Sequence, residues 1–318
     1  MTDQITVAPE KAIPPAIGSP VAAEPRAQRT LTADVWRQFR QHKGGVMGGI
    51  VFTTIIFLVV FGPYLHGIDP QELNVRERNA GISLAHPMGT DNLGRDTFAQ
   101  ILAGGRTSLS VGVTAMMLSL FVGTTIGVTA GYFKKLEGPL MRLTDLFLAL
   151  PLLPLLLVII MLFRDTLRRS FGPETGIFML IVFVIGITSW MQTARIVRGA
   201  VLSVKEQEFV LAAKSIGTRE RRIITRHILP NVLSPIMVSA TLGIATAIIT
   251  ESALSFLGLG FPSDFPTWGR LLFDGVNFMT INPSRVIWPG LAISLTVLSV
   301  NYIGDGIRDA LDPRIRGR

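Results

Sequence analysis

Apolar residues gather in six long runs, at roughly 44–65, 108–133, 142–163, 176–197, 232–257 and 286–306. Crossing a hydrocarbon core of about 30 Å takes about 20 helical residues, so each run predicts one span. The runs lack the apolar–polar alternation of barrel strands, which favours helices. The first, second, fourth and fifth carry no formal charge until close to an end, where Arg195 and Glu251 sit. The third takes in Asp145 near its entry, and Pro151 and Pro154 predict a kink there. The sixth holds Asn301, which reads as a hydrogen bond between helices, and ends at Asp305. The pattern predicts an all-α membrane protein with six transmembrane helices.

Outside the runs the pattern changes. Residues 1–30, rich in Ala, Pro and Glu as far as Arg26, carry no apolar core and read as a disordered tail. Residues 31–43, with Trp36 and Phe39 set among Arg37, Arg40 and Lys43, read as a short helix at the membrane surface. The first apolar run begins near Gly44, too late for a cleavable signal, and reads as an uncleaved span. The chain divides into a tail over 1–43, a first span and outer loop over 44–105, a membrane core over 106–306 and a second tail over 307–318.

Composition narrows the class. Only 16% of the 318 residues are charged, against 48% hydrophobic, and no cysteine is present, which excludes disulfides and thiolate metal sites. The net charge of +8 could suggest nucleic acid, but its placement says otherwise. With the N-terminus inside, the inner segments hold six Lys and Arg in the tail, three at 134–142, eight at 195–226 and four at 308–318. The outer segments hold four at 76–106, three at 164–169, and Arg270 and Arg285. That is the positive-inside bias, with both termini cytoplasmic. The charge reports topology, and no nucleic-acid partner is expected.

One inner segment is unusual. "EFVLAAKSIGTRERRIITRHILPN", residues 208–231, is charged and helix-like between two apolar runs. Phe209, Ala212, Ala213 and Ile216 recur at helical spacing and predict one apolar stripe. Gly217 can take a positive φ and end that helix. Thr218 can cap a second helix whose first turn holds Glu220, and Pro230 ends the pattern. The segment reads as a helix–turn–helix finger with alanines on its contact stripe, where a partner can approach closely. A plain amphipathic loop, its Arg221, Arg222 and Arg226 on anionic lipid, is the blander reading.

The spacing Ala212-Ala213, Gly217, Leu229-Pro230 resembles the EAA loop of permease subunits in bacterial ABC importers. Leu211 stands where that loop usually has glutamate, with Glu208 one turn earlier, and His227 stands where isoleucine is frequent. Three further stretches resemble C-type permeases of the peptide-importer subfamily: "HPMGTDNLGRDTFAQILAGGRTSLSVG" (86–112), "ESALSFLGLG" with "PTWG" (251–269), and "NYIGDGIRDALDPR" (301–314). Together they cover about residues 44–314.

The resemblance implies a permease subunit of an ATP-driven, binding-protein-dependent importer in the inner membrane. Di- or oligopeptides lead as substrate, with nickel chelates, glutathione or another small solute as alternatives. The implied partners are a homologous permease, two ATP-binding subunits that hold ATP and Mg, and an external substrate-binding protein. The implied coupling helix lies between spans four and five, with Glu208, Phe209, Ala212, Ala213, Ile216, Gly217, Thr218 and Arg219 facing an ATPase. No cofactor and no catalytic residue are expected on this chain. A stand-alone channel is the rival of another class.

The remaining candidates have plainer readings. His86, Asp91, Arg95 and Asp96 suit a turn network better than a metal site: Asp91 and Asn92 can cap following backbone, and Arg95 can pair with either aspartate. Gly123, Gly127 and Gly131 form a small-xxx-small series that suits packing inside this subunit better than a contact with a sister permease. Glu251, the one acid deep in a run, is a candidate for the translocation path or a satisfied carboxylate near the outer end. Phe256, Phe261, Phe265 and Trp268 suit an interfacial belt. His42, His66, His86 and His227 are scattered, and no nucleophile–His–acid set or nucleotide-binding Gly-rich loop occurs.

Overall fold

A computed structural model describes residues 31–311, so the disordered tail expected over 1–30 and the last residues of the C-terminal tail lie outside it. Among the described residues every regular element is helical. In order they are α1 (Leu31–Gln41), α2 (Lys43–His66), α3 (Thr97–Tyr132), α4 (Lys134–Ala149), α5 (Leu152–Phe171), α6 (Pro173–Lys205), α7 (Glu208–Ser215), α8 (Glu220–Ile223), α9 (Leu229–Asn231), α10 (Leu233–Phe256), α11 (Trp268–Val276) and α12 (Ser284–Leu311).

Five helices, α2, α3, α6, α10 and α12, are long and apolar enough to cross a membrane. The third expected span is not one rod. It breaks between α4 and α5, which bend by 86° at Leu150–Pro151. Proline explains the break: neither Pro151 nor Pro154 can donate to the carbonyl four residues before it. The α5 stretch before Arg164 covers about 18 Å at 1.5 Å per residue, too short to cross alone, so the third run is either a broken span, which makes six, or a re-entrant pair, which leaves five.

The central packing is α3 against α6. Gly123, Gly127 and Gly131 let the two backbones touch, as the intramolecular reading expects. A Cβ at Gly127 would stand 2.7 Å from the Ala194 carbonyl oxygen and 2.8 Å from Val197 Cβ, and one at Gly131 would stand 2.7 Å from Val201 Cβ. The two helices run parallel at this seam, since later positions of α3 meet later positions of α6. The first halves of α5 and α6 form the main apolar cluster around Leu156, Ile160, Ile181 and Ile185, which also takes in Phe261.

Polar groups that join helices satisfy stranded backbone. Pro63 stands inside α2 and leaves the Val59 carbonyl without its helical donor, and Arg106 of α3 donates Nε to that oxygen at 2.9 Å and Nη2 to Val60 at 2.6 Å. Lys205 Nζ donates to the Gly131 carbonyl at the end of α3. Asn301 makes no side-chain hydrogen bond among the described residues, so the interhelical bond expected of it is not found.

The aromatic belt expected near the outer end is mostly core. Trp268 and Phe261 are each 1% exposed, and of the four only Phe256 is substantially exposed. Trp268 lies over Gly105 and donates its indole N–H to the Ile101 carbonyl, so its polar edge is satisfied inside the protein rather than at the headgroups.

Replacing Gly127 by leucine should destabilise the chain by about 1–3 kcal/mol or more, because neither the Ala194 backbone nor Val197 can yield at this seam. Gly199→Leu, at an open position on α6, is the control. Thermal unfolding in detergent checks it, and equal stability of the two variants would contradict the seam.

Candidate functional site: a finger, an outer clasp and a mid-bundle cavity

At one end of the bundle, α7 to α9 form the finger. Its turn is closed by backbone: the Gly217 amide donates to Lys214 O at 3.0 Å, and the Thr218 amide to Ala213 O at 3.1 Å. That pairing, with Gly217 at φ 75°, is the Schellman ending of a helix. It corrects one expectation. Thr218 closes the first helix instead of capping the second, which starts after Arg219 with no side-chain cap. A π turn over Ile224–Ile228 then carries the chain past Pro230 into α10.

The predicted apolar stripe is split between two faces. Ala213, 7% exposed, turns inward with Val210 and packs with Ile223, Ile228 and the α6 residues Val197 and Val201. Phe209, Leu211 and Ile216 face out at 45%, 44% and 82% exposed, and Ala212 and Glu208 are exposed beside them. The Phe209 ring sits 6.3 Å from His227, joining the two halves of the finger. Gly217, Thr218, Arg219, Arg221, Arg222 and Thr225 line an open groove of about 530 Å³ next to Ile216. The outer surface of the finger is therefore apolar beside basic, with no acid in the groove wall.

At the opposite end, residues 67–96 fold into a clasp around Asp96. His86 Nδ1 lies 2.7 Å from Asp96 Oδ2, and His66 Nε2 lies 3.1 Å from Oδ1. Oδ1 also accepts the Ala99 amide at 2.6 Å, capping α3. His86 Nε2 lies 3.1 Å from Glu77 Oε2, so four titratable groups form a chain from α2 through the loop to α3. The two histidines looked scattered in the sequence, and the fold brings them to one carboxylate. No group of metal-ligand geometry is present among the described residues.

Asp91 takes Arg95, at 2.7 Å from Nε, together with the Leu93 and Arg95 amides. Burial pulls the Asp91 carboxyl upward, but these donors outweigh it and hold it below the usual carboxylate value. Asn92, expected to cap local backbone, instead accepts from Arg285 Nη2 at 3.0 Å and ties the clasp to α12.

Glu251 is fully buried. Its oxygens accept from Ser255 Oγ at 2.7 Å and Ser108 Oγ at 3.0 Å, and Ser108 Oγ in turn accepts the Trp268 amide. The carboxylate thus joins α3, α10 and α11 and lines no part of the cavity described next.

Between α3, α6, α10 and the α4–α5 break lies a cavity of about 380 Å³. Its polar wall is Thr188, Ser189, Gln192, Thr193, Ser239 and Thr246, and no charged residue lines it. Composition did not point to it, because these residues come from segments 50 positions apart.

Residues 123–317 match the family model described as "binding-protein-dependent transport system inner membrane component", and residues 30–87 match the N-terminal transmembrane domain of oligopeptide transport permease C. The chain is 38% identical over 311 residues to the dipeptide transport system permease protein DppC of Alkalihalophilus pseudofirmus, covering 96% of this chain and 99% of that one. It is 36% identical to the oligopeptide permease OppC of Bacillus subtilis, with 97% and 98% covered, and 35% identical to the glutathione permease GsiD of Pectobacterium atrosepticum, with 92% and 94% covered. A chain of the MetNI methionine ABC transporter, inward facing, matches in fold at a TM-score of 0.53 and 17% identity, over 67% of this chain and 97% of that one.

The clasp should stabilise the protein most at mildly acidic pH. The hydrogen bond to Asp96 raises the His86 imidazolium above the ordinary 6.5; burial opposes this and Glu77 adds to it. A raised value contributes stability fully present below about 6.5 and lost as pH rises through the folded value. The stability difference between wild type and His86→Gln should therefore shrink between about pH 6 and about pH 9. Thermal unfolding at both pH values measures it, and a difference that grows with pH would contradict the clasp.

Proposed function

The chain belongs to the family of binding-protein-dependent transport inner membrane components, and from that premise we propose how it works as an importer permease. It is a transport subunit and not an enzyme, and it forms part of the path through the membrane. We assign peptides as the substrate, in keeping with the dipeptide and oligopeptide permeases it resembles. A homologous permease completes the path, two ATP-binding subunits hold ATP and Mg, and an external binding protein delivers the peptide. Both termini and the finger face the cytoplasm, following the positive-inside count. A stand-alone channel is not favoured.

One observation carries the coupling role: the finger exposes large apolar residues where a monomer has no reason to. Ile216 is 82% exposed at the tip, beside Phe209, Leu211 and a groove lined by Arg219, Arg221 and Arg222. An apolar anchor rimmed by cations fits a partner cleft that is apolar at its centre and acidic at its edge. ATP-driven closure of the partner would move this finger. Because α8 and α9 run into α10 and α7 follows α6, the motion would reach both spans. Ala213 serves from the inside, holding α7 against Val197 and Val201, and Glu251 serves as a buried clamp at the far end.

Ile216→Asp should weaken docking of the ATPase by about 2 kcal/mol, roughly thirtyfold, and lower ATP-driven uptake while membrane insertion stays normal. Ala213→Arg is a different kind of variant, since it drives a charge into the interior of the finger and should cost the fold of α7 itself. Co-purification with the ATP-binding subunits and uptake into proteoliposomes measure both. Undiminished uptake with Ile216→Asp would overturn the docking role.

A further inference from the structure

The cavity at the α4–α5 break carries a second inference, which rests on the importer reading above. It lies about halfway along the bundle: Met116 is mid-way through α3, Ser189 and Gln192 are mid-way through α6, and Ser239 and Thr246 flank the middle of α10. Its volume of about 380 Å³ is within the range of small-molecule sites.

Three observations point to a ligand there. Ser239 Oγ is buried, lines the cavity and has no hydrogen-bond partner, an arrangement that costs free energy unless something in the cavity completes it. Gln192 is exposed at the middle of a helix that crosses the membrane, a position where an amide facing lipid is unfavourable and one facing a wet path is not. The α4–α5 break exposes non-helical backbone at depth, which is tolerated only where it is buried in protein or lines a cavity.

The chemistry of the wall selects the ligand. It holds hydroxyls and one amide, which both donate and accept, and no acid or base. Asp145 of α4 and Arg195 of α6 pair with each other. Met116 and Met191 supply adaptable apolar surface. We propose that this cavity is a transit subsite for the neutral amide backbone of a peptide. Gln192 and Ser239 would hydrogen-bond its N–H and C=O groups, and the methionines would take up its side chains without regard to their sequence. A site built this way passes many peptides at similar rates, because it reads what all of them share.

The test uses the full complex in proteoliposomes with trialanine as the probe. The double variant Gln192→Leu/Ser239→Ala should lower kcat/KM for uptake about tenfold, since each lost hydrogen bond is worth roughly twofold to tenfold. Undiminished uptake in an assembled variant complex would overturn the subsite and leave the importer reading intact. A wild-type complex that takes up no peptide with ATP would sink the peptide reading and the subsite with it. Because the chain has no cysteine, Ser239→Cys alone gives an independent measure. Its labelling by N-ethylmaleimide should proceed and should slow at least about fivefold with trialanine under transport conditions, in line with the same hydrogen-bond range. Labelling that ignores the peptide would overturn the proposal.

Discussion

Inside hydrocarbon, a backbone carbonyl that loses its helical donor has no water to replace it, and the bundle is organised around that constraint. Pro63 removes a donor in α2, and Arg106 replaces it from α3, which is why a formal charge can stand on the longest helix. Lys205 does the same for the last turn of α3. Threonines along α3, α6 and α10 turn their hydroxyls back onto the preceding turn, so most polar side chains at depth are silent. Where the constraint is not met by side chains, at Pro151 and Pro154, the helix breaks. The break opens onto the cavity that lies between four elements.

The same logic separates the two ends of the molecule. The clasp end is tied by charge: Asp96 holds two histidines and the first turn of α3, Asp91 holds Arg95 and Gln100, and Arg285 reaches Asn92 from α12. Both aspartates are multiply bonded, so this end is held by directed contacts. The finger end is tied by apolar contact through Val210, Ala213, Ile223 and Ile228, with its charges turned outward. Apolar packing tolerates small sliding better than a set of directed hydrogen bonds does.

Much of this was legible in the sequence, and the failures share a cause. Hydropathy located the spans because membrane burial acts on composition over 20 residues. Gly217 was legible because only glycine takes its backbone freely. The glycine series was legible because a period of four places it on one face. What could not be read was anything fixed by tertiary direction. Spacing put Ala213 on the same stripe as Phe209 and Ile216, yet a stripe does not say which of its edges meets the bundle. Aromatic composition near an outer loop suggested a belt, whereas Trp268 lies inside because Gly104 and Gly105 make room for it. His66 and His86 stand 20 residues apart, and the loop between them alone decides that they meet.

The mid-bundle cavity is the strongest instance. No pair of its polar residues is a motif, and several of them would pass as ordinary helix surface. Their meaning comes from contrast with their neighbours. Thr188 and Thr246 bond their own helices, but Ser239 has no partner. Glu251, a far more conspicuous residue in the sequence, is fully met by serines and faces nothing open. In a membrane protein a conspicuous charge is costly enough that the fold has usually enclosed it. A weak polar group left unpaired is cheaper to retain, and it is the one free to bind something that passes.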